Sequence, residues 1–216
     1  VNDSKEVRDK AIDLLDKLGE VGVDSFIKDG LLRDIPVIGS VVGIFKFGTS
    51  IADALLLAKI KRFIENIGSV SQEEKEQFNK KMKADGLASK TSRMILQYTN
   101  SYDSEQKAEI FGYLFGELIR GDLDEVTFRR FASLVGNMNT QDLKDFVLRD
   151  GKFDWLYAHD YIAHGLAMFE VPRIESLDDI RPKDAVDQTG MTYGVNPWGA
   201  EVIRVLKPYF ARGMGE

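Results

Sequence analysis

Histidine is the side chain best suited to acid–base work or metal binding near neutral pH. This chain has two, His159 and His164, in the stretch "HDYIAH". A spacing of five puts them on different sides of a helix, whereas zinc pairs on a helix use three or four, and no third ligand stands near. They read as an exposed polar pair. The absence of cysteine excludes disulfides and thiolate metal sites, and it fits a reducing cytoplasm. Asp122 with Asp124, Glu73 with Glu74, and Asp178 with Asp179 could share acid–base chemistry only inside one pocket. Their contexts are loops and first helical turns, where such pairs are ordinarily solvated. No Walker A loop, nucleophile elbow or Gly-rich loop after a strand is present. The expectation is that the protein is not an enzyme and has no catalytic residue, cofactor or metal.

The pattern that does ask for an explanation is "DIPVIGSVVGIFKFGTSIADALLLAKIKRF", residues 34 to 63. On one helix at about 100° per residue, Gly39, Gly43, Lys46, Ser50 and Asp53 share a stripe, with Val37, Val41, Ile44, Ile51 and Leu55 opposite. "GSVVG" is a small-xxx-small motif that lets two helices approach closely. The plain reading is the central helix of a bundle, buried as core. The sharper reading is a segment that self-associates or engages a membrane. Roughly 24 residues could span about 30 Å of hydrocarbon, and Lys59, Lys61 and Arg62 would anchor at anionic lipid headgroups. Each ionised residue at the bilayer centre costs about 2.5–3.5 kcal/mol, so Lys46 and Asp53 make a lone span marginal. An assembly that turns the stripe inward removes that objection. Gly48 leaves a third option, a break between two half-helices. Each glycine costs about 1 kcal/mol against alanine, and close helix approach is the known return. Residues 35–58 are therefore the expected working part, sequestered in one form and used for self-association or membrane engagement in another.

The elements that would carry these residues are mostly helices. "VNDSKEVRDKAIDLL" is charged, helical in pattern and without an apolar signal-peptide core. Gly30 and Pro36 punctuate the chain before the apolar stretch. "SVSQEEKEQFNKKM" opens on a capping box, Ser71 to Glu74. "GLASKTSRMILQYTN" places Leu87, Met94, Ile95 and Tyr98 inward. "DSEQKAEIFGYLFGELIRG" is the clearest helix: Asp103 or Ser104 caps it, Ile110, Phe111, Leu114, Phe115 and Leu118 form the buried face, and Gly121 stops it. Two short helices follow, in "DLDEVTFRRFASLVGNM" and "TQDLKDFVLRDG".

After about Asp154 the grammar changes to helix, strand, long loop over 171 to 190, strand and helix. The strands are "LAMFEV" and "MTYGV". The last helix begins with Asn196 as cap and Pro197 at its first position, and Pro208 is expected to shorten it. Phe153, Trp155, Tyr157 and Tyr161 are expected to join the two halves. The fold class expected is mainly α: a helical bundle over residues 1–150, with a small C-terminal α/β winged-helix-like module over 151–216.

Composition narrows the partners. Of 216 residues, 44% are hydrophobic and 30% charged, as in a globular chain. The net charge of −6 disfavours nucleic acid, whose binding depends on neutralising phosphates. The expected partner is a second copy of the chain or another protein, with a membrane surface kept open and a DNA-binding winged helix a distant third. The expected location is the cytoplasm, with the inner membrane's surface kept open.

Ile35, Pro36, Gly39, Gly43, Lys46, Ser50, Ile51 and Asp53, followed by a Leu- and Lys-rich helix, resemble the pattern of an uncharacterised bacterial family of helical proteins. That family ends in a winged-type tail, matched here by Tyr193, Val195, Asn196 and Gly199. The resemblance covers residues 30 to 136 and the tail, not the loop at 171 to 190. A similar tail occurs in abortive-infection proteins of bacterial phage defence, so the resemblance implies a defence-type effector and no known activity.

Overall fold

The computed structural model describes residues 35, 37–38, 51–84, 87–170 and 192–212. They form helices α1 (Ile51–Glu65), α2 (Gln72–Ala84), α3 (Ala88–Ser101), α4 (Glu105–Arg120), α5 (Glu125–Asn137), α6 (Thr140–Leu148) and α7 (Trp155–Ala163). Strands β1 (Ala167–Glu170) and β2 (Thr192–Val195) follow, and helix α8 (Pro197–Ala211) comes last. The protein is mainly helical, with a small two-stranded sheet near its C-terminus. Two compact units divide the chain, residues 1–136 and 137–216.

Helix α4 is the axis of the first unit. It starts because the Ser104 hydroxyl accepts from the Lys107 N–H at 3.3 Å, satisfying one orphan donor of the first turn. It stops because Gly121 adopts φ 86°, a left-handed conformation, and returns its N–H to the Glu117 and Leu118 carbonyls. All five apolar residues expected on its inner face are buried, and Ala108, Tyr113 and Ile119 are buried as well. Phe111 and Phe115 lie 5.3 and 5.5 Å from Phe63 of α1, ring centre to ring centre. Phe115 meets Phe78 of α2 edge-on, and Phe111 stacks on Phe128 of α5 at 5.2 Å. Each such ring contributes about 1.5–3 kcal/mol by leaving water, so the aromatic cluster is what joins these helices.

Helix α2 begins with the expected capping box. The Ser71 N–H donates to Glu74 Oε2 at 2.6 Å and the Glu74 N–H donates to Ser71 Oγ at 3.2 Å. Helix α3 departs from expectation. Its buried residues are Thr91, Ser92, Ile95 and Thr99, while Leu87, Met94 and Tyr98 are only half-buried. The hydroxyls are tolerated inside because most find acceptors. Ser92 donates to the Ala88 and Val37 carbonyls, at 2.8 and 3.1 Å, and Thr91 lies 3.7 Å from the Met82 sulfur. Thr99 Oγ1 is buried with no hydrogen-bond partner among the described residues.

The second unit begins at Asn137 and includes α6, which lies against α8. Asn139 caps α6 by accepting from the Gln141 and Asp142 N–H groups. After α6, Asp150 and Gly151 both take positive φ, 56° and 70°, and a Cβ on Gly151 would stand 2.2 Å from Val195 Cγ2. Phe146, Phe153 and Tyr161 pack on one another at 4.9 to 6.2 Å within this unit. Tyr157, expected with Phe153, Trp155 and Tyr161 to join the two halves, is exposed.

Strands β1 and β2 pair antiparallel, with Ala167 opposite Val195 and Phe169 opposite Tyr193. Asn196 accepts from the Gly199 N–H at 2.8 Å to cap α8, and donates to the Gly165 carbonyl at 2.7 Å. Helix α8 does not end at Pro208 but runs on to Ala211. Proline forfeits the bond to the carbonyl four residues back, and near a helix end little else depends on that bond.

Candidate functional site

Of the stripe expected to mediate association, Gly39, Gly43, Lys46 and Ser50 lie outside the described residues. Asp53 lies on α1, where the backbone is helical. The structure does describe both flanks of the stripe.

On the N-terminal flank, Ile35, Val37 and Ile38 each have 0% exposure, and Val37 and Ile38 are helical. The Ser92 hydroxyl fixes this entry by donating to the Val37 carbonyl. The C-terminal flank is two-sided. Ala54, Ile60, Phe63 and Ile64 are buried, whereas Ala52 and Leu55 are exposed, Leu55 at 58%. Among the described residues no helix is long and apolar enough to cross a membrane.

The three cations expected at lipid headgroups are placed by α1 as follows. Lys59 Nζ donates to the Tyr102 carbonyl at 2.5 Å and to the Asn100 carbonyl at 3.5 Å, at the end of α3. Those carbonyls are orphans of a helix C-terminus, where a cation is favoured. Arg62 faces three carboxylates: Glu105 at 3.0 Å, Glu109 at 3.5 Å and Glu65 at 3.8 Å. The hydrogen bond to Glu105, then the charge of Glu109, raise the Arg62 pKa above its ordinary value. Lys61 is half exposed and reaches Glu65 at 3.9 Å.

Two further cations repeat this use. Lys107, 5% exposed, donates to Asp103 Oδ2 and to the Gly136 carbonyl, each at 3.0 Å, and so closes the end of α5. Arg120 donates to the Ile67 and Ser69 carbonyls just past α1, at 3.4 and 3.2 Å, while Glu117 holds its other nitrogen at 2.7 Å. Sequence patterning missed these roles, because each joins residues far apart in the chain.

Gly39 and Gly43 of "GSVVG" lie outside the described residues, and among those described a close helix approach is made at another pair of glycines. Gly112 and Gly116 lie one turn apart on α4 and face the backbone just before and after the end of α1. A Cβ at Gly112 would stand 2.0 Å from the Phe63 carbonyl oxygen, and one at Gly116 would stand 2.1 Å from that of Ile67. The spacing in "GYLFG" was the available signal.

Several other titratable groups hold caps or backbone carbonyls. Asp124 caps α5, with both Oδ atoms 2.9 Å from Thr127 donors; these bonds, the backbone one first, hold its carboxyl below the usual range. Burial pushes the Tyr102 phenol far above its ordinary value, and its hydroxyl donates to the Ala132 carbonyl at 3.1 Å. His159 is exposed. His164 Nδ1 lies 2.8 Å from the Asp160 carbonyl oxygen and Nε2 lies 3.2 Å from that of Asn137. Among the described residues no three His, Cys, Asp or Glu side chains are grouped so as to hold a metal ion. Asp178 and Asp179 lie outside the described residues. In comparisons with known proteins the chain matches no protein-family model, no curated protein and no solved structure.

Proposed function

We propose that the chain is a non-enzymatic helical interaction protein in which the apolar segment is anchored in the first unit through its buried described residues Ile35, Val37, Ile38 and Ala54. The observation that carries this reading is the enclosed entry of the segment: three side chains at 0% exposure, with the Ser92 hydroxyl on the Val37 carbonyl. To leave the fold, the segment would give up about 1.5–3 kcal/mol for each such side chain. Lys59 and Arg62, the cations nearest to a headgroup role, are already engaged by carbonyls and carboxylates of the same unit. Flotation with vesicles rich in anionic lipid tests the reading. The purified chain is expected to stay with free protein, and co-flotation overturns the reading.

A second reading, self-association through the same segment, is favoured by the exposed Ala52 and Leu55 on α1. Its occupant is a second copy of the chain. Light scattering would then give a mass above 24.3 kDa that Leu55→Lys returns to the single-chain value. A single-chain mass for the unaltered protein overturns it.

The order helix, strand, strand, helix over α7, β1, β2 and α8 supports reading the second unit as a winged-helix-like module with the β1–β2 ribbon as its wing. Arg204 on α8 is paired with Glu201 at 2.7 Å, and the chain is acidic; both favour protein over DNA as what such a module contacts.

A further inference from the structure

We propose that the outer edge of β1 is a docking site for an extended peptide segment of basic and apolar residues, which joins the ribbon as a third strand. The proposal rests on the reading of the second unit as one that contacts protein, and it names the partner's chemistry.

The backbone supplies the first argument. Among the described residues the sheet has two strands, so β1 has one edge with no neighbouring strand. The Asn196 N–H donates to the Leu166 carbonyl at 3.2 Å. Bonded and non-bonded pairs alternate along an antiparallel ladder. The next bonded pair is therefore Met168 with Gly194, and Phe169 and Tyr193 form a non-bonded pair. The Phe169 N–H and carbonyl then point away from β2, to the outer edge. Such an edge is a template for another strand. Edges closed to partners commonly carry lysine, proline or a bulge. Ala167–Glu170 has none of these: its register against β2 is unbroken and its sequence is "AMFE".

Exposed side chains supply the second argument. Six large apolar side chains stand exposed among the described residues, and four of them belong to α7 and β1: Leu156, Tyr157, Met168 and Phe169. These two elements pack on each other. Phe169, 48% exposed, lies 5.4 Å from the Tyr193 ring, centre to centre. Met168, 45% exposed, belongs to the opposite face of the ribbon. An added strand sends alternate side chains to the two faces, so apolar residues on it would cover both.

Charge selects the occupant. From Asp154 to Glu170 the chain has three acidic residues, Asp154, Asp160 and Glu170, and neither lysine nor arginine. Asp154 and Asp160 are exposed. A basic segment meets this rim favourably. A second copy of the chain brings the same acids and the same net charge of −6, so like charges oppose it.

The test begins with random peptides displayed on phage, selected on the immobilised full chain, and the enriched sequence is then synthesised. It is expected to alternate apolar with polar residues and to carry a net positive charge. Binding should weaken by about tenfold or more in Phe169→Lys, and it should weaken as salt is raised. A strand edge pairs with the N–H groups of alternate peptide residues. N-methylation of one alternate set should therefore abolish binding, and N-methylation of the other set should spare it. That arm needs no variant of the chain, so it decides even where Phe169→Lys does not fold. No enrichment, acidic or proline-rich enriched peptides, unchanged binding in a folded Phe169→Lys, or equal binding by both N-methylated forms overturns the added strand. So does a dimer in light scattering that Phe169→Lys dissociates, because a second copy then holds the edge. Mixed-sequence duplex DNA is titrated in parallel. Where no peptide is enriched, DNA binding also overturns the reading of the second unit as a protein contact, and its absence overturns the strand alone.

Discussion

The Gly112 backbone lies directly on the Phe63 carbonyl, so close that a methyl group at Gly112 would stand 2.0 Å from that oxygen. Phe63 in turn packs its ring on Phe111 and Phe115 of the same helix. The backbone contact and the aromatic cluster therefore depend on one helix separation. Gly112→Ala must push α1 outward and loosen the rings. Overpacking of this kind costs about 1–3 kcal/mol or more, against a gain of about 1 kcal/mol in helix propensity. A lower denaturation midpoint is expected for Gly112→Ala and for Gly116→Ala. Gly121→Ala is the contrast, because it meets no neighbour and suffers only from its positive φ.

Lys107→Met should destabilise the first unit by about 1–3 kcal/mol, because the stem still fits while the Gly136 carbonyl loses its donor. Asp103 is mostly exposed, so Asp103→Asn should cost much less. The hydrogen bond from Lys107 holds the Asp103 carboxyl below its ordinary range. A depressed carboxyl contributes stability above its unfolded titration, and that contribution is lost as pH falls through the folded one. Acid titration of unfolding should therefore be shallower in Lys107→Met than in the unaltered chain.

The Ser71 and Glu74 capping box makes a local prediction. Ser71→Ala should cost about 1 kcal/mol, read as faster amide exchange in the first turn of α2. The Ser71 N–H, then its hydroxyl, hold the Glu74 carboxyl below the usual range. The cap is complete above that range and weakens as pH falls. Glu74→Gln should remove the acid-dependent part of the exchange and leave the rest.

Lys59→Gln separates a fold-holding lysine from a lipid-facing one. Losing the Tyr102 contact should lower stability by about 0.5–1.5 kcal/mol with no change in vesicle flotation. Arg62→Gln should cost less, about 0–1 kcal/mol, because its ion pairs are exposed and screened. Reduced flotation in either variant would support the headgroup role.

What could be read from the sequence was what nearby residues decide. Ser104, Gly121, the Ser71 to Glu74 pair, and Asn196 before Pro197 all act within one helical turn, and each cap is present where expected. What escaped was decided at long range. Thr91, Ser92 and Thr99 look polar, but α3 buries them, and Ser92 finds its acceptor 55 residues away at Val37. Lys59, Lys61 and Arg62 form a basic cluster on paper, yet Lys59 is engaged by a carbonyl 43 residues on. The start of the second unit at Asn137 follows from α6 packing on α8, which no composition shift announces. For the stripe itself, the Gly39, Gly43, Lys46 and Ser50 positions lie outside the described residues.

The enclosure of the Lys107 amine has a chemical corollary. Acylating reagents must reach the amine nitrogen, and this one is buried with its hydrogens directed at two acceptors inside the protein. It should be among the last lysines labelled by a short anhydride pulse, while exposed amines are modified at once. Once the first unit opens, Lys107 becomes an ordinary lysine, and its acetylation then fixes the chain in a state that can no longer close around Gly136. The appearance of the label at Lys107, after the exposed amines have reacted, would therefore time the opening of the first unit without any engineered probe.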